Sequence, residues 1–374
     1  ILYEQRGVGL SRPAIGCAEM TARRRDLLDS ELSTEEEYVR MREALRACRD
    51  RLLADGWDLA RFNSLRNADD LLDLVGTLGL SAWRIYSVSY GTRIALEVMR
   101  REPPGLHAVV LDSVYPPQVP GEGSDTWLLN RSLQLFMRSC ELLPDCDYRP
   151  ERLRADLENA MLRLQERPLR LALRDPDSGR PLRVVLGVDD LAWLIFESQY
   201  LWSNLRLLPG AVSSLARGHV SPEMRSMLQD SLDLMLDESL SEAVGNSVDC
   251  ADNGPFPRER FLRQLAQFPL VAEVRQHDWD YGACRDWDSG DSGEAFRQAV
   301  HSAIPTLLLG GEFDPVTPPQ WAHTAAAGLR NSYTLVFPGI GHGVLDSDRC
   351  GMDVVRAFLA DPQAPAVPAC LDLL

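Results

Sequence analysis

Apolar positions along the chain fall into two textures. Four short runs are almost continuously apolar: Ala82-Trp83-Arg84-Ile85-Tyr86-Ser87, Ala108-Val109-Val110-Leu111, Thr306-Leu307-Leu308-Leu309-Gly310 and Tyr333-Thr334-Leu335-Val336-Phe337. Runs of this length, set off by Gly and Pro, predict strands, and the unbroken apolar character of Ala108 to Leu111 predicts burial of that strand on both faces of a parallel sheet. Longer stretches repeat at helical period instead. Ser33 and Glu36 have the spacing of a capping box, and Tyr38, Met41, Leu45, Cys48 and Leu52 follow on one stripe until Gly56 ends it. Further helices are predicted over 68–78, 92–99, 320–328 and 352–359. Leu2 and Tyr3 read as a strand end running into a tight loop marked by Gly7, Gly9 and Ser11.

Strand and helix alternate in the first and last parts of the chain, which predicts an α/β fold with helices on both sides of a mostly parallel sheet. Between about residues 116 and 299 the texture changes to long amphipathic stretches, among them 188–202 and 222–240, broken by Pro and Gly. The expected organisation is a core in two parts, 1–115 and 300–374, interrupted by a helical cap over 116–299. A chain of 374 residues, 45% hydrophobic and 25% charged, is long enough for two such units.

The formal net charge of -16 disfavours nucleic acid or an anionic membrane as partner, because both would repel the protein at long range. All 39 basic residues are Arg, which reads as the coding bias of a GC-rich genome. No run approaches the roughly 20 apolar residues of a membrane-spanning helix, so no span is expected. The sequence begins at Ile1 within an expected strand end, without an initiator Met or a leader pattern, which points to an upstream portion. Oligomeric state leaves no mark in the sequence.

The eight cysteines fall into four local couples: Cys17 with Cys48, Cys140 with Cys146, Cys250 with Cys284, and Cys350 with Cys370. Each couple brackets one helix or loop, a spacing that lets two Cβ atoms approach without long threading. Metal binding is the competing use, but no couple is C-x-x-C and none has His at ligand spacing. Free buried thiols are the other alternative and would place the protein in the cytosol.

Chemistry-bearing residues gather at three strand ends. Ser87-Val88-Ser89-Tyr90-Gly91 differs from the nucleophile elbow G-x-S-x-G only at its first position, and it lies where a strand passes straight into a helix. Small residues are expected two before and two after the nucleophile, where strand and helix crowd together. The second end is Gly310-Gly311-Glu312-Phe313-Asp314-Pro315, in which Asp314 is the expected acid and Glu312 its competitor. The third is Pro338-Gly339-Ile340-Gly341-His342-Gly343, where a histidine between glycines has neither an apolar face to complete nor a helix terminus to cap. His107, His219, His277, His301 and His323 lie in strand, helix or cap patterns, and no pair forms H-E-x-x-H, so metal-assisted hydrolysis lacks ligands. The order Ser, Asp, His with a helical insert before the Asp is the chain order of α/β-hydrolases. Ser89 as nucleophile, His342 as base and Asp314 as its orienting acid predict acyl transfer with no cofactor and no metal.

Glu4-Gln5-Arg6-Gly7-Val8-Gly9-Leu10-Ser11, residues 87–92, Leu111-Asp112-Ser113-Val114, residues 314–318 and Gly341-His342-Gly343 together resemble the secreted tripeptidyl and prolyl aminopeptidases among the α/β-hydrolases, over nearly the whole chain. Members of that group have Asp where Glu4 stands. The resemblance implies an α/β-hydrolase fold, disulfides at the local couples, and a secreted or periplasmic bacterial protein whose signal peptide lies upstream. It also implies earlier strands and a Gly-Gly-Pro-Gly loop there, which carries one oxyanion donor while the Tyr90 amide carries the other; the sequence as it stands is therefore expected to fold poorly alone. The implied substrate is a peptide with a free N-terminus, cleaved to release short peptides or single residues. Its α-ammonium group needs a carboxylate in the cap, for which Asp249, Asp252 and Glu197 are candidates. Trp193, Phe196, Tyr200 and Trp202 are candidates for an apolar pocket or for the cap's own core. A small acyl ester as substrate, and a noncatalytic binding protein on the same fold, are the alternatives.

Overall fold

The structure, a computed structural model, describes residues 1–119, 125–143, 146–254, 258–274, 279–287, 289–363 and 370. Its elements in chain order are α1 (Ala18–Leu27), α2 (Thr34–Ala54), α3 (Ser64–Thr77), β1 (Trp83–Val88), α4 (Tyr90–Arg100), β2 (Leu106–Asp112), α5 (Asp125–Leu142), α6 (Pro150–Glu166), β3 (Leu169–Arg174), β4 (Pro181–Leu186), α7 (Val188–Ser198), α8 (Trp202–Ala216), α9 (Pro222–Met235), α10 (Glu242–Asn253), α11 (Arg258–Leu265), α12 (Pro269–Val274), α13 (Trp279–Asp286), β5 (Thr306–Gly311), α14 (Pro319–Ala326), β6 (Ser332–Phe337), α15 (Val344–Ser347) and α16 (Arg349–Ala360). Two compact units emerge. The first comprises Ile1–Phe62, Glu122–Ser198 and Ser203–Asp291; the second comprises Asn63–Gly121, Gln199–Trp202 and Ser292–Leu374.

The second unit holds a four-stranded sheet in the order β1-β2-β5-β6, every neighbouring pair parallel. Its strands alternate between two apolar layers, as the two-residue side-chain period requires. Val109, Leu111 and Leu308 join Ile94, Val98 and Met99 of α4 and Ala322 and Ala325 of α14. Ala108, Val110, Leu307 and Leu309 join Phe337 and, from α16, Val354, Val355 and Phe358. The central strands β2 and β5 are buried on both faces, whereas β1 and β6 leave Tyr86, Tyr333 and Val336 exposed. Full burial of one such Leu or Val contributes about 1.5–3 kcal/mol. Cys350 and Cys370 are disulfide-bonded within this unit.

The first unit is mainly helical. Ser33 caps α2, and with Glu36 completes the expected capping box. The long amphipathic region is not helical throughout: β3 and β4 form an antiparallel hairpin. The Asp175 side chain organises its turn by accepting the amides of Asp177 and Ser178 at 3.0 and 2.9 Å. Leu2 and Tyr3 are not in a strand. The helix expected over 188–202 divides, with α7 ending at Ser198 and α8 beginning at Trp202, because residues 199–202 belong to the other unit. Disulfides join Cys17 to Cys48, Cys140 to Cys146 and Cys250 to Cys284. Loops of 31 and 34 residues closed in this way restrict the unfolded chain by about 3–4 kcal/mol each. Among the described residues, no helix is long and apolar enough to cross a membrane.

Candidate active site

Ser89 sits between β1 and α4 with φ 56° and ψ −128°, a left-handed backbone at a residue with a Cβ. Such strain costs on the order of 1–3 kcal/mol and persists only where the surroundings impose it. Here the Ser89 amide donates to the Asp112 carbonyl at 3.0 Å, and Thr92 returns to the Ser89 carbonyl through both its amide (2.9 Å) and its hydroxyl (2.7 Å). Ser89 occupies the N-cap position of α4, yet its hydroxyl makes no capping bond. A serine at this position ordinarily spends its oxygen on the helix; this one does not.

The small residues of the elbow do different things. The Ser87 hydroxyl donates across the sheet to the Val110 carbonyl at 3.3 Å. A Cβ on Gly91 would meet the Ser87 Cβ at 3.6 Å, an ordinary contact, so the crowding expected there tolerates one methyl group. Tyr90 opens α4, and its phenol oxygen lies 3.0 Å from Ser64 Oγ and accepts from Asn67 Nδ2 at 2.9 Å. The side chain is thereby anchored on α3, which steadies the backbone amide that begins the helix.

Asp314 follows β5 and is fully buried. Its Oδ1 accepts the amides of Val316 and Thr317 at 3.1 and 2.8 Å, and its Oδ2 accepts the Thr317 hydroxyl at 2.8 Å. The same Oδ2 lies 2.9 Å from His342 Nδ1. A carboxylate can only accept, so Nδ1 carries the proton and the lone pair resides on Nε2. Glu312, the competitor for this role, is committed elsewhere: its Oε2 accepts the Gly339 amide at 3.1 Å.

His342 is mostly buried, its side chain 13% exposed. Burial alone would lower its pKa, but the charge and hydrogen bond of Asp314, joined by the charge of Asp112, outweigh burial and hold it above the ordinary histidine value. The Tyr200 ring lies 5.0 Å from the imidazole, and the His342 amide donates to the Tyr200 carbonyl at 3.1 Å. Gly341 permits that approach, since a Cβ there would fall 2.1 Å from the Gln199 carbonyl oxygen. Thr317 was not singled out in the sequence; Tyr200 was a candidate for an apolar pocket and is found beside His342 instead, and Asp112 and Ser113 stood in a family motif without a role. For Asp112 a signal existed, a carboxylate closing an otherwise apolar strand.

The proposed cap carboxylates do not converge. Glu197 lines a cavity of about 330 Å³ in the first unit, together with Glu37, Asp189, Asp190 and Trp193, and its Oε2 accepts the Ser231 hydroxyl at 2.5 Å. Burial pushes all four of these carboxyls upward, and the Asp189 charge adds to it at Asp190 and Glu37. Asp249 and Asp252 lie on α10, the first exposed and the second fully buried. Trp193 and Phe196 meet edge to face at 5.2 Å. His277 and the Trp202 side chain lie outside the described residues.

A family model described as TAP-like protein matches residues 272–370, which include Asp314, His342 and the last disulfide. The chain is 24% identical over 332 residues to YuaR of Escherichia coli (strain K12), whose name carries a provisional assignment as a hydrolase. The match covers 84% of this chain and 62% of YuaR, so the chain spans less than two thirds of that relative's length. Similar solved structures include a proline iminopeptidase of Mycobacterium smegmatis (14% identity, 82% of this chain and 74% of that one, TM-score 0.36) and an esterase of Thermogutta terrifontis (16%, 81% and 74%, TM-score 0.31). Likeness at those TM-scores says nothing of substrate. The parallel sheet with helices on both faces gives the chain an α/β-hydrolase fold, and over residues 272–370 it is similar to the TAP-like family.

Proposed function

We propose that the protein is a serine hydrolase acting as an exopeptidase, releasing short peptides or single residues from free N-termini through an acyl-enzyme on Ser89. The observation that carries the hydrolytic part is the 2.9 Å pairing of His342 Nδ1 with buried Asp314, in the same unit as a strained serine whose hydroxyl is not spent on its helix. His342 Nε2 takes the proton as Ser89 Oγ attacks the carbonyl carbon, and returns it to the leaving amine as the C–N bond breaks. Asp314 holds the imidazole in that tautomer and stabilises its charged form. The Tyr90 amide donates to the developing oxyanion, and water, deprotonated by His342, then releases the acid from Ser89.

The exopeptidase part rests on the resemblance, which asks for a carboxylate to meet the α-ammonium group of the substrate. Export is proposed from the four disulfides, which persist in oxidising compartments.

A fluorophosphonate probe on the full-length protein tests the enzyme class: labelling at Ser89 is expected, and its absence favours a noncatalytic binding protein. Matched peptides with free and acetylated N-termini, alongside simple esters, test the substrate. Free peptides are expected to be cleaved at least tenfold faster; equal rates, or faster ester hydrolysis, make it a carboxylic-ester hydrolase.

A further inference from the structure

The segment after His342 is held by a strand it does not follow. The Gly343 amide donates to Ser113 Oγ, the Val344 amide to Asp112 Oδ1 and the Leu345 amide to Asp112 Oδ2, each at 2.9 Å. Three consecutive backbone donors are thus received by two consecutive side chains at the end of β2. The reason lies in α15, a helix of four residues whose N-cap is Gly343, a residue without a side chain to satisfy the orphan amides. Asp112 and Ser113 supply the cap from another part of the chain. Ser113 takes up φ 55° at this place, the second strained serine of the site.

Holding backbone amides does not require a charge. Asp112 is fully buried, and a buried carboxylate is costly unless its charge is used. Burial pushes its carboxyl upward, against the two amides and the Tyr86 hydroxyl at 3.2 Å that favour the charged form. Its charge also raises the affinity of His342 for a proton.

We infer that Asp112 and Ser113 are positioning residues for His342: they fix the backbone that carries the imidazole, and Asp112 adds a second negative charge to that of Asp314. The inference rests on the reading of His342 as general base. The charged and titratable neighbours are Asp314, Asp112 and the Tyr200 phenol ring at His342, and Tyr86 and, beyond it, Asp346 at Asp112.

The test uses Asp112→Asn and Ser113→Ala in the full-length protein. Asn keeps one acceptor, but its NH2 faces an amide and its charge is gone. For D112N a loss of about 10²-fold in kcat at little-changed KM is expected, since small misplacements of a reacting group cost that much. Its acid limb moves to lower pH, because removing a negative charge lowers the His342 pKa. For S113A the expected result is a folded protein, somewhat less stable because the Gly343 amide loses its acceptor, with fluorophosphonate labelling about tenfold slower. NMR titration of the His342 ring in wild type and D112N reads the charge effect without turnover. Wild-type kcat and an unmoved His342 titration in D112N overturn the inference; if D112N does not fold, a wild-type labelling rate in S113A overturns it. Failure of the wild-type protein to label at all defeats the serine-hydrolase reading instead, and the NMR titration still decides the role of Asp112.

Discussion

Glu312 Oε2 receives the Gly339 amide at 3.1 Å, so the carboxylate that precedes Asp314 by two residues supports the backbone leading to His342 and leaves the ring to its neighbour. The two acids therefore separate under mutation. Asp314→Ala is expected to lower kcat by about 10³–10⁴-fold, the scale of losing the orienting acid of a triad. Glu312→Gln, which retains an acceptor for Gly339, is expected to stay within about tenfold. Steady-state kinetics on one substrate resolve the difference, and reversed magnitudes exchange the two roles.

The backbone of Ser89 gives a second expectation, in which stability and activity move in opposite directions. Ser89→Gly abolishes probe labelling, but it relieves a positive φ that glycine adopts freely. Thermal unfolding of S89G is expected to show a gain of about 1 kcal/mol over Ser89→Ala, which keeps the strain. A variant no more stable than S89A contradicts the strained geometry.

The raised pKa of His342 fixes the sign of two pH effects. A base must be neutral, so kcat/KM is expected to rise with pH through a midpoint above about 6.5, the unperturbed histidine value. Stability linked to the same group behaves oppositely. Because the folded pKa exceeds the unfolded one, the contribution is fully present below the unfolded value and is lost as pH rises through the folded value. Comparing unfolding of wild type and His342→Gln across this window isolates the second effect, and a rate profile with its midpoint below the unperturbed value defeats both.

Gly341 allows a sharper steric test than the elbow glycine. A methyl group at residue 341 would fall 2.1 and 2.6 Å from the carbonyl oxygens of Gln199 and Tyr200, whereas one at Gly91 meets only an ordinary contact at 3.6 Å. Gly341→Ala is expected to cost about 2 kcal/mol or more and to displace His342, while Gly91→Ala remains folded. Denaturant unfolding of both variants makes the comparison.

The centre of the sheet was legible because β2 and β5 are buried on both faces, so Val109, Val110, Leu111 and Leu307 to Leu309 carry no polar alternation to blur them. The strand ends that carry Ser89, Asp314 and His342 were legible because glycines and prolines punctuate them. The hairpin of β3 and β4 was not: Leu169-Arg170-Leu171-Ala172-Leu173-Arg174 alternates weakly inside a long amphipathic region. The break between α7 and α8 was hidden too, because helical periodicity continues through Tyr200, whose carbonyl accepts the His342 amide. The grouping of residues 1–62 with 122–198 and 203–291 depends on contacts remote in sequence, for which no local pattern exists. The role of Asp112 and Ser113 escaped for the same reason, since the amides that they receive lie 230 or more residues away.

Each of the four parallel strands leads to a residue of the proposed site: β1 to Ser89, β2 to Asp112 at its end, β5 to Asp314 and β6 to His342. In a sheet buried on both faces, sliding one strand by a single residue exchanges its inner and outer side chains and also carries its terminal group about 3.3 Å from its partners. A misregistered chain would lose the fit of Val109 and Leu111 with α4 and the grip on Gly343 to Leu345 in the same step. Correct assembly of the sheet and readiness for chemistry are then one event, and labelling at Ser89 would serve as a folding assay as much as a measure of activity.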